Sequence, residues 1–150
     1  NFDSINTSIP RFIIYRTGLT MIISKPFFGW GASVYPIFYL ISNDDYSSHA
    51  HNLFIELAIN YGLPVSIIFL LYLIYLLYKS INLIHMNENK NIQIIDKAWY
   101  ISIIVFITTH LFDVQYFDVR ISLTFWITLS GIRAIISEGE EHLNAKLNIK

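Results

Sequence analysis

A long apolar run constrains the fold more than any other feature of the sequence. The run extends over residues 63–84, and its first 16 residues, through Tyr78, carry no charged side chain. About 20 apolar residues suffice to cross the hydrocarbon core of a bilayer. Two shorter apolar segments follow, at 98–111 and 121–136. The sequence therefore predicts an all-α, polytopic membrane protein fragment with three transmembrane helices in residues 63–136.

Composition narrows the classes of function. Charged residues make up 14% of the 150 residues, and the net charge is −1. Ordinary soluble domains contain roughly 25% charged residues, and a nucleic-acid partner needs a basic surface, so no nucleic-acid partner is expected. The absence of cysteine excludes thiol catalysis, disulfides and cysteine-ligated metals. Because the chain begins with Asn1 rather than Met, we expect it to be a piece of a longer protein.

The distribution of lysine predicts the orientation in the membrane. The polar stretch 86–97 is interpreted as a loop, and the basic residues after the first span are Lys79, Lys90 and Lys97. Those after the third span, before and within the polar tail 137–150, are Arg133, Lys146 and Lys150. Lysine and arginine favour the cytoplasmic side, and an even number of spans separates these two segments, so both are expected there. The loop 1–62 and the short turn 113–120 are then expected outside the cell, in a bacterial inner (plasma) membrane.

The outer loop 1–62 contains apolar stretches that do not resemble spans. The segment 11–23 is apolar with two arginines, which is typical of a helix lying at the membrane interface. Asn52 is a good N-cap for a helix that begins with the next residue. Asn52, Glu56 and Asn60 are spaced by four and form one polar stripe on that otherwise apolar helix.

Two histidines, His49 and His51, precede this helix and are the main candidates for chemistry. If the helix begins near Ser48, His49 joins the polar stripe of Asn52 and Glu56; if it begins at Asn52, His51 lies at its start. The plainest interpretation is two solvated loop histidines. A metal site using both histidines and the nearby aspartates lacks a third ligand at a diagnostic spacing, and no metal is expected.

Three arginines are candidates for binding an anionic substrate. Arg11 and Arg16 are five residues apart, about 140° around a helix, and do not form one clamp by themselves. They either anchor the helix at the interface or bind a diphosphate, which the planar guanidinium suits. Arg120, in the outer turn, either pairs with Asp118 or joins the same site.

These residues together resemble the O-antigen ligase and polymerase superfamily. The resemblance rests on Arg11, on the turn KPFFGWG at 25–31, and on HAHN at 49–52 followed by LFIELAINYGLP to Pro64. It covers about residues 10–136 and is closest to the cyanobacterial branch, which is sometimes labelled as inorganic-carbon transport proteins. The resemblance implies that the chain is the C-terminal part of a protein with about a dozen spans.

The resemblance also implies an activity and a set of site residues. Members of the superfamily are metal-independent glycosyltransferases without cofactors, which move a glycan from undecaprenyl diphosphate to a glycan or lipid acceptor in surface polysaccharide or lipopolysaccharide assembly. By resemblance, His51 or His49 is the general base and Arg11 holds the diphosphate. The expected substrate-binding residues are Arg11, Arg16, Asn52, Glu56 and Arg120.

The alternative is a transporter for an anion such as bicarbonate, recruited by the outward histidines and arginines. A transporter is expected to carry polar groups near the middle of its spans. The first span has almost none there, and His110 lies near the outer end of the second. This distribution favours chemistry at the membrane surface.

Overall fold

A computed structural model describes residues 11–86, 90–114 and 117–148, and their regular elements are helices. These residues form no β-strand. The helices are α1 (Arg11–Ser24), α2 (Tyr35–Asn43), α3 (Leu53–Tyr61), α4 (Leu63–Met86), α5 (Lys90–Phe112) and α6 (Val119–Asn148).

Three of the helices are long and apolar enough to cross a membrane. The spans are Leu63–Met86 in α4, Gln93–Phe112 in α5 and Val119–Ala145 in α6. At about 1.5 Å per residue, each reaches the roughly 30 Å of a hydrocarbon core. The predicted all-α polytopic membrane fragment with three spans is confirmed.

The prediction of a polar loop over 86–97 is wrong for its second half. α5 begins at Lys90, seven residues before the predicted end of that loop at Lys97. Polarity does not oppose a helix, since lysine and glutamine are good helix formers, so a transmembrane helix can continue past the bilayer. α6 does so as well: it has 30 residues and is therefore about 45 Å long. The predicted domain limits at 62 and 136 stay predictions.

The chain divides into two compact units, residues 1–67 and 68–150. In the first unit, α1 packs on α3 and α2. The face of α1 that is buried there repeats every three to four residues, as expected for a helix with one side on a core. Gly18 lies on that face, and a Cβ atom at this position would be 3.0 Å from Ile55 Cγ2, so the glycine allows close approach. The largest buried side chains of this core are Met21, Tyr35, Tyr39 and Ile59.

In the second unit, small residues of α6 permit close helix packing. A Cβ at Gly131 would lie 2.8 Å from the Trp99 ring of α5, and one at Gly139 would lie 3.1 Å from Leu83 of α4. Lys79 and Glu140 form an ion pair near the Gly139 contact. This packing accounts for the continuation of α6 past its apolar part as an ordered helix.

A backbone clamp fixes the last residues of α3 and the first residue of α4 in the first unit. We use this term for the turn at 26–31 and its bonds to the residues between 59 and 63. The amide of Trp30 donates to the carbonyl of Ile59 at 2.7 Å, Gly31 donates to Asn60 at 3.0 Å, and Leu63 donates to Pro26 at 2.7 Å. The last carbonyls of a helix have no partner within it, so the clamp satisfies groups at the end of α3.

Candidate functional site

The histidines lie in a short loop whose end is fixed by a helix cap. Asn52 has extended backbone geometry, and its side-chain oxygen accepts from the amides of Phe54 and Ile55 at 3.0 and 3.1 Å. The predicted N-cap is confirmed, and α3 begins at the next residue, Leu53. Both histidines therefore precede the helix. The interpretation in which the helix begins near Ser48 and carries His49 in its polar stripe is wrong.

The loop brings the two imidazoles together. The ring centroids of His49 and His51 are 4.3 Å apart, and both residues are half-buried. His51 has φ of +49°, in the left-handed region, which non-glycine residues adopt at a cost of roughly 1 kcal/mol. His49 Nδ1 lies 2.7 Å from the hydroxyl of Ser48, so that ring is oriented by its own neighbour.

Glu56, on α3, holds the loop through a hydrogen bond from the loop backbone. Its side chain is only 2% exposed, and its Oε2 accepts from the amide of Ala50 at 2.9 Å. Oε1 accepts from Asn60 Nδ2 at 3.3 Å. Burial raises the pKa of the Glu56 carboxyl, and the bonds from Ala50 and Asn60 counteract part of that rise. Both oxygens bind groups of the protein, and one of these groups is the backbone amide between the two histidines.

Further bonds tie the loop to the core. Ser47 is buried, and its hydroxyl donates to the carbonyl of His49 at 3.0 Å. Ala50 is fully buried and lies 4.0 Å from the position that a Cβ at Gly18 would occupy. The phenol of Tyr35 donates to the carbonyl of Ile14 at 3.1 Å, and burial raises the pKa of this phenol. The loop thus rests on a packed, hydrogen-bonded base.

Sequence reasoning did not identify Tyr35, Ser47 or Ala50 as support for the loop. The small size of Ala50 was an available signal, because a methyl side chain lets the backbone between the two histidines approach another helix closely. For Tyr35, which is distant along the chain, no local pattern indicates the contact.

The arginines occupy different surroundings. Arg11 and Arg16 are both exposed on α1. At 100° per residue, Arg11 lies about 60° from the middle of the buried face, whereas Arg16 lies on the opposite side of the helix. In the second unit, Arg120 forms a bidentate pair with Asp118, with distances of 3.3 and 3.0 Å. The predicted pairing of these two residues is confirmed, and it lowers the pKa of the Asp118 carboxyl.

The site can therefore supply two adjacent imidazoles on a rigid loop. As a proton acceptor, an imidazole uses one of its two ring nitrogens. Lys25 and the glycines of the KPFFGWG turn serve the clamp: Lys25 Nζ lies 4.1 Å from the centroid of the Trp30 ring.

The fold and the sequence features together define a polytopic α-helical membrane protein with an ordered loop segment before its first described span. A comparison with family models matches residues 2–70 to the O-antigen ligase family. The matched segment includes the clamp, the histidine loop and the start of α4. The match supports the resemblance of this segment to the O-antigen ligase superfamily and a ligase-like role in polysaccharide assembly. No curated protein and no solved structure matches it.

Proposed function

We propose that this protein transfers or polymerises an oligosaccharide carried on undecaprenyl diphosphate, at the outer face of the bacterial inner membrane. The observation that carries the proposal is the histidine loop: two imidazoles with centroids 4.3 Å apart, on a backbone held by Glu56 and Asn52, inside the segment that matches the O-antigen ligase family. A rigid base beside a membrane suits a lipid-linked donor.

The proposed step is a single displacement at the anomeric carbon. An imidazole nitrogen accepts the proton of an acceptor hydroxyl while the hydroxyl oxygen forms a bond to that carbon. The bond from the carbon to the diphosphate oxygen breaks, and undecaprenyl diphosphate leaves with the electron pair as an anion. Imidazole is the side chain best suited to accept a proton near neutral pH, and general-base assistance contributes roughly 10²- to 10⁴-fold to a rate.

We assign the base to His51 and a positioning role to His49. The left-handed backbone of His51 is a strained geometry, and such geometry is concentrated at functional sites. His51 also adjoins the capping residue Asn52, so the helix start fixes its backbone. His49 has one ring nitrogen in contact with Ser48 and its carbonyl in contact with Ser47, which suits a residue that orients its neighbour.

Arg11 is proposed to hold the departing diphosphate. It lies on α1, the helix that packs on α3 behind the histidine loop, and it is exposed. A guanidinium aimed at developing negative charge stabilises the transition state without a metal ion. Arg16 and Arg120 are weaker candidates for substrate binding, because Arg16 lies on the opposite side of α1 and Arg120 already pairs with Asp118.

An in-membrane transfer assay with lipid-linked glycan and acceptor tests this proposal. We expect His51→Gly to lower turnover by roughly 10²-fold or more while the protein stays folded, because glycine accepts the left-handed backbone. His49→Ala is expected to have a smaller effect, and His142→Ala, at an exposed residue of α6, none. Arg11→Lys is expected to be impaired, because lysine keeps the charge but loses the planar fork.

Two results would contradict the proposal. Full glycan transfer by both histidine variants, together with loss of bicarbonate uptake, would replace the transferase with the transporter. A loss of activity on adding chelator would contradict the metal-free step.

Labelling of single cysteines with an impermeant reagent tests the orientation. We expect cysteines at Asn43 and Gln115 to react from outside and one at Asn89 not to react, because the lysine-bearing segments are expected in the cytoplasm. The chain has no cysteine of its own. Reaction of the Asn89 variant from outside would reverse the orientation.

A further inference from the structure

The first unit exposes an apolar surface on the side of α1 that faces away from its core. Three large side chains form a stripe there: Phe12 is 74% exposed, Leu19 51% and Ile23 78%. At 100° per residue they lie within about 40° of one another, on the side opposite the buried face. α1 is thus apolar on two sides, and within residues 11–67 only one of them is covered.

A second exposed apolar feature follows directly after α1. Phe27 and Phe28 are 70% and 90% exposed, in the turn that forms the clamp. The clamp bonds Pro26 to Leu63, the first residue of α4. The two phenylalanines therefore lie beside the point where the first described span begins.

Cations border both features. Arg16 lies about 40° from the middle of the α1 stripe, and Lys25 immediately precedes the phenylalanine turn; both are exposed. Aromatic side chains and long cationic side chains occur together at the level of lipid headgroups, where the rings meet the acyl boundary and the cations reach the phosphates.

We propose that the stripe of α1 and the turn at Phe27 and Phe28 form one lipid-facing surface that rests in the headgroup layer of the bilayer, with Arg16 and Lys25 against lipid phosphates. Charge complementarity and the bond to the start of the span favour phospholipid as the occupant. The opposite side of α1 meets Ala50 of the histidine loop through Gly18, so one helix, about 10 Å thick, separates that loop from lipid. The delivery of a lipid-linked diphosphate at this depth rests on the proposed function; the lipid-facing surface does not.

Nitroxide accessibility in reconstituted vesicles tests the surface. Single cysteines at Ile23 and Phe28 would be spin-labelled in the otherwise cysteine-free chain, with Thr20→Cys as a matched control on the same helix. Both substitutions replace exposed side chains, and circular dichroism would verify the helix content. Molecular oxygen concentrates in lipid, whereas a charged nickel complex concentrates in water. We expect labels at 23 and 28 to collide preferentially with oxygen. For the label at 20, we expect a lower ratio of oxygen collisions to nickel collisions.

Two outcomes would overturn the proposal. Preference for nickel at either 23 or 28 would place the surface in water. Protection from both reagents would mean that protein covers it, either a second copy of the chain or another polypeptide segment. Neither outcome bears on glycan transfer by the His51 variants, so the lipid-facing surface and the proposed function can fail separately.

Discussion

Removing the carboxylate of Glu56 is the sharpest test of how the histidine loop is held. In Glu56→Ala the buried amide of Ala50 loses its acceptor at 2.9 Å. An unsatisfied buried donor costs about 1–3 kcal/mol. A local loss of about 2 kcal/mol corresponds to roughly 30-fold faster opening. We therefore expect hydrogen exchange of the Ala50 amide to accelerate by about that factor.

The measurement is hydrogen–deuterium exchange of peptides covering 49–52, with the protein in detergent micelles. Glu141→Ala, which removes an exposed carboxylate of α6, is the matched control and is expected to leave these peptides unchanged. Unaltered exchange at Ala50 in the Glu56 variant would refute the reasoning that this carboxylate holds the loop.

Glu56→Gln adds a pH dependence with a definite sign. Burial raises the pKa of Glu56 above its ordinary value of 4.5, so the folded state binds the proton more tightly than the unfolded state. Stability from this group is then highest when it is protonated, and it declines as pH rises from 4.5 through the raised folded value. The glutamine side chain does not titrate. We expect thermal unfolding to favour the glutamine variant progressively over that window, by at most about 1.4 kcal/mol per pH unit; an opposite trend would contradict the burial argument.

Two further predictions concern the clamp and the cap. Gly29→Ala would put a Cβ 2.6 Å from the Ile59 carbonyl oxygen at φ of +67°, and we expect about 3 kcal/mol of destabilisation in thermal unfolding. Gly31→Ala, with φ of +93° and open space around it, is expected to lose only about 1 kcal/mol. Equal losses in the two variants would argue against the clash at Gly29. Asn52→Ala is expected to destabilise α3 by about 1 kcal/mol through loss of the cap, seen as faster hydrogen exchange of the Phe54 and Ile55 amides. Asn52→Asp keeps an acceptor and is expected to keep the exchange of these amides slow. Equal exchange in both variants would argue that the cap does not protect these amides.

Local patterns predicted the elements that depend on neighbouring residues. The apolar run from Leu63 predicted a span because hydrophobicity and length alone decide that outcome. Asn52 predicted a helix start because a cap needs only the backbone of the next few residues. The length of α5 was missed at its beginning, since the stretch before Lys97 is polar but still favours a helix, and polarity marks the limit of the bilayer rather than the limit of the helix.

Contacts between distant parts of the chain were beyond sequence reasoning. The left-handed backbone of His51 is not marked by a glycine in the sequence. His51 lies between Ala50, whose amide is bound by Glu56, and the capping residue Asn52. The clamp joins residues about 30 positions apart through backbone groups, which leave no trace in side-chain periodicity. The site residues themselves were proposed by resemblance, and their roles stay predictions.

The clamp has a consequence for how this protein tolerates mutation. Its bonds to α3 and α4 join backbone groups, so its side chains can vary, except Trp30, whose indole donates to the carbonyl of Met21 at 2.9 Å. The space at two positions cannot vary. A Cβ at Gly62 would lie 2.2 Å from the carbonyl oxygen of Phe27, and one at Gly29 would meet Ile59. A library of variants across 26–31 and 62 would therefore accept many substitutions and still reject any side chain at these two glycines. Such a pattern of tolerance resembles that of a phosphate-binding glycine loop, although here the partner of the glycines is the end of a helix.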